Sequence, residues 1–401
     1  MFVHELGHFI FAKRAGMFVR EFSLGLGPKL FSFKKGETQY SLRIIPFGAY
    51  VRVAGEDPEV VEIKTGQTIY LKTNHSGIVT DIYLHDTGVK TVKLKVDSID
   101  LEHKLIITGE DEEQRGQTFK VAENTMLHYD KQTVQIAPWS RQFGSKSILS
   151  RFKMVFGGPL FNIIATIILF FIIAMMVGVP SDVVSLGPIN EGSPAELAGL
   201  QQGDIVVTAN EIPIKTTTDL ITIIQKNPDK ELNLSISRDG EPLKINVTPA
   251  KDEQGIGKIG AVVSTLEQDA SIFQAGSFAL KNTAEMSKAI IDGFVMLFSG
   301  SVGMNDLAGP VGIMKITGDA AKQGIPSLLN WAAILSLYLG IFNLLPVPAL
   351  DGSRLLFITI EALRGKPVDP RKESMVHLIG FAFLMLLMIV VTVNDISKIF
   401  Q

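Results

Sequence analysis

The chain contains no cysteine among its 401 residues. Disulfides and thiolate ligands are thereby excluded, and any metal it holds must be met by nitrogen and oxygen donors. Charge is also scarce: 20% of residues are Asp, Glu, Lys or Arg, and the formal net charge is −3. Without a basic excess, no nucleic-acid partner is expected. Apolar sequence is what abounds. Hydrophobic residues make up 46% of the chain and the mean hydropathy is +0.27. That mixture predicts bilayer segments alternating with water-exposed modules.

Spans are predicted at 152–179 and 374–394: Met154–Gly178 is apolar except for Asn162 and Thr166, and Met375–Val393 except for His377 and Thr392, each long enough to cross a hydrocarbon core of about 30 Å. A third stretch, 331–352, carries Asn343, Pro346, Pro348 and Asp351 toward its end. A fourth is residues 1–16, in which Met1 to Ala12 is apolar apart from His4, Glu5 and His8. As a helix that run rises only about 18 Å, so this span is expected to begin roughly ten to twenty residues upstream. Basic residues follow the first span (Lys13, Arg14), precede the second (Arg141, Lys146, Arg151, Lys153) and separate the last two (Arg354, Arg364, Lys366, Arg371, Lys372). Placing these loops in the cytoplasm puts residues 179–330 outside.

Between the spans, residues 38–56, strand-rich over Tyr40–Val53, predict a β-hairpin broken at Pro46-Phe47-Gly48. Residues 57–140 predict a β-rich cytoplasmic insert; its histidines, His75, His85, His103 and His128, lack ligand spacing and read as solvated surface. Residues 184–265 read as a compact α/β module. It has a helix opened by a threonine with Asp219 in the first turn, and a hairpin about Asp239-Gly240. Residues 270–325 predict a linker whose amphipathic helix, 281–300, lies on the membrane surface or packs on that module.

The chemistry concentrates at "HELGH". On a helix, His4 and His8 share one face and can offer two imidazole nitrogens to one Zn²⁺. Glu5 stands beside a ligand, where it reaches a water without binding the metal. The alternative is a buried histidine pair satisfied by hydrogen bonds. A carboxylate near bilayer depth costs about 2.5–3.5 kcal/mol and marks function, which favours the metal. Asp351, in "NLLPVPALDGSR", is the expected third ligand, since both apolar stretches run from outside to inside and bring the two half-sites to one depth near the cytoplasmic face. Three protein ligands leave a position open, as in catalytic zinc sites. Pro346 and Pro348 are expected to unwind the backbone and turn Asp351 sideways. Asn343 is held as a substrate or Asp351 contact, and Asn162, in "GGPLFN", as a substrate contact or a clasp between helices.

"HELGH", "GGPLFN", the α/β module and "NLLPVPALDG" together resemble the bacterial site-2 proteases, intramembrane zinc metalloproteases of the regulator-of-sigma-factor type with one PDZ domain. The resemblance covers nearly the whole chain apart from the β-rich insert. It implies a polytopic α-helical membrane protein of about four spans in a bacterial inner membrane, with an extracytoplasmic α/β PDZ domain over 184–265. It also implies zinc on His4, His8 and Asp351, catalysis by Glu5, and a substrate clamp at Asn343. The resemblance makes the 38–56 hairpin a membrane-associated element that, with Phe47, Gly48 and Tyr50, would hold unwound substrate by strand addition. The implied substrates are single-pass membrane proteins, namely anti-sigma factors after a first cut or remnant signal peptides, and the PDZ domain would filter them by size or bind their new C-terminus. A catalytically inactive PDZ membrane adaptor is the competing reading; the intact set His4, Glu5, His8 and Asp351 favours the enzyme. A transporter would show two similar halves, and none is seen.

Overall fold

A computed structural model of the chain describes residues 1–56, 63–86, 88, 91–130, 132–252, 254–301 and 309–399, with the side chains of 46, 47, 298, 370, 371 and 399 outside the description. The chain divides into two compact units. One comprises residues 1–166, 286–317 and 334–401, the other 167–285 and 318–333.

Helix α1 (Phe2–Arg14) buries His4, Gly7, His8 and Ala12, a stripe at helical spacing. Gly7 faces Gly157 so closely that a Cβ on either would collide with the other's backbone. Small residues at such a crossing let two helices meet backbone to backbone.

Strands β1 (Val19–Lys35) and β2 (Thr38–Val53) form one long antiparallel ribbon, its register running from Val19↔Val53 to Lys35↔Thr38. This corrects the expected hairpin within 38–56. That segment is a single strand, its partner is the preceding segment, and the turn lies at Gly36 and Glu37 rather than at Pro46-Phe47-Gly48. The ribbon also doubles back on itself: Glu21 to Leu24 register with both Arg52 to Ala49 and Gln39 to Leu42. Gly25, Gly27 and Gly48, at φ between +83° and +88°, provide the left-handed backbone where it bends. Around this bend it exposes Leu30, Phe31 and Ile44.

Residues 68–135 fold as expected into a β-rich body: β3 (Thr68–Thr73), β4 (Val79–Tyr83), β5 (Val92–Asp100), β6 (Ile106–Glu110), β7 (Gly116–Tyr129) and β8 (Gln132–Gln135). The sheet order is β4-β3-β5-β6-β7-β8, and a parallel β4–β7 pairing closes it on itself around Ile69, Leu71, Ile82, Leu94, Val96 and Ile107. Closure leaves fewer free edges to aggregate. His128 is tied down here, stacked on Tyr83 and 3.0 Å from both Asp81 Oδ1 and Thr133 Oγ1. It is a bound structural residue and not merely solvated surface.

Helix α2 (Ile148–Val177) covers the second expected span. The α/β module follows: β9 (Val179–Ile189), α3 (Pro194–Leu197), β10 (Ile205–Ala209), β11 (Ile212–Pro213), α4 (Thr217–Lys226), β12 (Leu232–Arg238), β13 (Glu241–Val247), β14 (Ala250–Lys251), β15 (Gly257–Lys258) and β16 (Ala261–Gln268). Its main sheet runs β13-β12-β10-β9-β16. Leu186, Val206, Leu220, Leu232, Leu234 and Ile236 fill its core. The capping box on α4, Thr216 with Asp219, and the hairpin at Asp239-Gly240 stand as the residues predict. Asp204 is buried. Burial raises its carboxyl, but hydrogen bonds from Arg238 (2.7 and 2.8 Å) and the Gln201 backbone N–H outweigh this and hold it below the usual carboxylate range.

The linker helix, α5 (Ile272–Phe298), starts nine positions before the expected 281 and is followed by α6 (Pro310–Lys322). Then come α7 (Ile325–Asn343), α8 (Asp351–Arg364) and α9 (Pro370–Ile399). The expected 331–352 span is corrected at its end. Helix α7 stops at Asn343, and Asp351 opens a separate helix, because Pro346 and Pro348 cannot donate to a continuing ladder. Among the described residues three helices are long and apolar enough to cross a membrane: α2, α7 and the Lys372–Lys398 part of α9. The described part of α1 has 13 residues and does not meet that length.

Candidate metal centre

Helices α1 and α8, distant in sequence, bring His4, His8 and Asp351 together. His4 Nε2 and His8 Nε2 lie 3.2 Å apart, and Asp351 Oδ2 is 3.1 Å from the first and 3.3 Å from the second. Donors bound tetrahedrally at about 2.0–2.1 Å to one zinc ion are separated by about 3.3 Å. The observed triangle therefore has the dimensions of one face of such a site. Asp351 Oδ2 is buried without a hydrogen-bond partner, an acceptor left for something else to satisfy. The donor set, two imidazoles and one carboxylate, also suits zinc. Among the described residues this is the group of histidine and acidic side chains able to hold a metal.

Sequence order set α1; tertiary contacts set the rings. His8 Nδ1 lies 2.9 Å from the Met154 carbonyl, so Nδ1–H donates and the Nε2 lone pair faces the centre. The Asn162 side-chain amide lies 3.2 Å from His4 Nδ1. For His4 Nε2 to keep its lone pair, Nδ1 must donate, and the atom that accepts is the amide oxygen of Asn162, one flip from the nitrogen placed there. The amide nitrogen then faces Ser336 Oγ, whose own proton goes to the Asn162 backbone carbonyl at 3.0 Å. Asn162 is 1% exposed, with His4 of α1 and Ser336 of α7 as its side-chain neighbours. Nothing in the sequence named His4 as its partner. The pair of glycines before it, in "GGPLFN", was the available signal: a Cβ on Gly158 would lie 2.7 Å from His8 Cε1 and 2.8 Å from His4 Cε1.

A cavity of about 510 Å³ opens onto the triangle, lined among others by Glu5, Tyr50, Val51, Arg52, Asn343 and Arg354. The Val51 backbone N–H hydrogen-bonds the Glu5 carboxylate, which fixes it beside His4. Arg354, one turn after Asp351, is paired with Glu56 at the mouth. Asn343 lines the cavity, but its amide nitrogen donates to Leu339 O (2.9 Å), not to Asp351. Tyr50 lines it too, while its hydroxyl is committed to Glu21 and Arg43. Gly48 does not line it; it packs on Leu26 at the bend of the ribbon. The side chain of Phe47 lies outside the described residues.

Residues 1–387 match peptidase family M50. A zinc metalloprotease RasP from Geobacillus kaustophilus is 45% identical over 405 residues, covering 100% of this chain and 96% of its own. Its namesake from Oceanobacillus iheyensis is 44% identical over 410 residues, covering 99% and 96%. The regulator of sigma-W protease RasP from Bacillus subtilis is 42% identical over 408 residues, covering 100% and 96%.

Proposed function

The chain belongs to peptidase family M50, and from that membership and the converging triad we infer that it is a zinc metalloendopeptidase of the site-2 type, acting in regulated intramembrane proteolysis. The observation that carries the reading is the spacing of 3.1–3.3 Å among His4 Nε2, His8 Nε2 and Asp351 Oδ2. These three residues would hold the ion. Zinc, when bound, supplies Lewis acidity to a peptide carbonyl and lowers the pKa of a water to about 7.

The chain's own groups do the rest. Glu5 takes the proton of the attacking water and returns it to the departing amine, a transfer worth about 10²–10⁴-fold. Substrate must be extended before its carbonyls are reachable. The stretch Tyr50 to Arg52 of β2, lining the cavity, offers backbone groups for strand addition. The exposed apolar side chains at the bend of the ribbon support its association with lipid.

The substrates we propose are single-pass membrane proteins: anti-sigma factors already cut once, and remnant signal peptides. The protein is a membrane protein with apolar helices α2, α7 and α9. We place it in the bacterial inner membrane, with the metal centre toward the cytoplasm and residues 184–265 outside, on the distribution of basic residues. In that module β16 is an edge strand with α4 beside it, an arrangement that suits capture of an extended peptide end by a PDZ-like domain.

Two measurements test the reading. Cleavage of a tagged single-pass protein by the purified full chain is expected to stop on chelation and return with zinc. Asn162→Ala is expected to weaken zinc binding about 10–100-fold by freeing the His4 ring, read by chelator competition. Chelation without effect on cleavage would remove zinc from the reaction; unchanged affinity would remove Asn162 from the site's support.

A further inference from the structure

The segment joining α7 to α8 carries its metal-facing residue on a conformation that the segment does not favour by itself. Ala349, two positions before Asp351, has φ +75°, left-handed backbone that a residue with a Cβ adopts only when its surroundings hold it there. The holding groups are on α9. The Ala349 N–H donates to His377 Nδ1 at 3.1 Å. Gly380, three residues on and on the same side of the helix, has Pro348 seated against it; a Cβ there would overlap the Pro348 ring and lie 2.6 Å from its carbonyl oxygen. Phe357 of α8 meets the His377 ring edge-on, with centroids 5.9 Å apart. The ring thus touches chain on both sides of Asp351.

Because Nδ1 accepts, the proton of the neutral ring sits on Nε2, which is buried without a hydrogen-bond partner and 3.7 Å from Glu373 Oε1. A histidine in an apolar span, with one nitrogen spent on a single backbone N–H and the other unsatisfied, is a costly arrangement for packing alone.

We propose that His377, seated by Gly380, is a positioning residue: it captures the Ala349 N–H, fixes the left-handed turn, and so aims the Asp351 carboxylate at His4 and His8. The proposal rests on the reading of Asp351 as a zinc ligand. Through it the last apolar helix, which contributes no ligand, becomes part of the support of the metal centre.

The test uses the full chain in detergent, with zinc affinity read by chelator competition and folding by helical content and melting temperature. His377→Ala is expected to raise the zinc dissociation constant about 10–100-fold, the usual effect of losing a group that orients a ligand. His377→Asn, whose amide oxygen can take the place of Nδ1, is expected to restore affinity to the same order of magnitude as wild type. His377→Gln places its amide nearer the Nε2 position and is expected to fail as Ala does. A packing role would not separate Asn from Gln. Wild-type affinity in His377→Ala, or equal loss in Asn and Gln, overturns the proposal; should His377→Ala not fold, the Asn and Gln pair decides alone. Asp351→Ala separates the two readings. If it binds zinc like wild type, the ligand assignment fails; if it loses zinc while the His377 variants do not, only the positioning role fails.

Discussion

Glu5→Gln is expected to keep its zinc and lose cleavage by about 10²–10⁴-fold, the worth of a positioned general base. The substitution preserves shape and leaves His4, His8 and Asp351 untouched, so the 3.1–3.3 Å triangle has no reason to change. What disappears is a carboxylate able to accept a proton. Glutamine can also no longer accept the Val51 N–H as strongly, but its oxygen still reaches it, so local geometry should hold. Metal content and cleavage of a tagged single-pass substrate, measured on the same preparation, check both halves. Cleavage at the wild-type rate would take Glu5 out of the mechanism; loss of zinc would show that it helps to bind the ion.

A second large effect is expected from Gly158→Ala, which removes no ligand. The added Cβ would lie 2.7 Å from His8 Cε1 and 2.8 Å from His4 Cε1, and closer still to His8 Nε2. His8 cannot step aside freely, since its other nitrogen is pinned to the Met154 carbonyl on the same helix that carries Gly158. One methyl group therefore pushes on both imidazoles at once. A displacement of about 1 Å costs on the order of 10²-fold in rate. Zinc affinity should fall with it, while helical content and the melting profile of the chain stay close to wild type. A Gly158→Ala protein that binds zinc and cleaves normally would mean that the rings do not occupy these positions when the metal is bound.

The fold was legible where the cause is local. The capping box of Thr216 and Asp219, the hairpin at Asp239-Gly240, and the apolar length of α2 and α9 each follow from a few neighbouring residues, and each stands in the structure. For the β ribbon, alternation identifies a strand without identifying its partner. Thr38–Val53 reads as strand from its own residues, yet Val19–Lys35, with glycines at 25 and 27, was needed to complete it. The end of α7 departs from the apolar pattern for a related reason. Hydropathy continues past Asn343 while the hydrogen-bond ladder does not, since Pro346 and Pro348 lack the N–H that would extend it.

At the metal centre the division is sharp. Residue type and helical spacing alone put His4 and His8 on one face with Glu5 beside them, because a helix returns to the same side after four residues. The acidic partner, Asp351, is legible because one carboxylate stands next to prolines at the expected depth. Which nitrogen each imidazole presents was decided only in three dimensions, by the Met154 carbonyl and the Asn162 amide, and so was the left-handed turn at Ala349, by His377. The physical reason is that side-chain chemistry is written residue by residue, whereas the direction of a lone pair depends on the donor or acceptor that folding happens to bring against the other side of the ring.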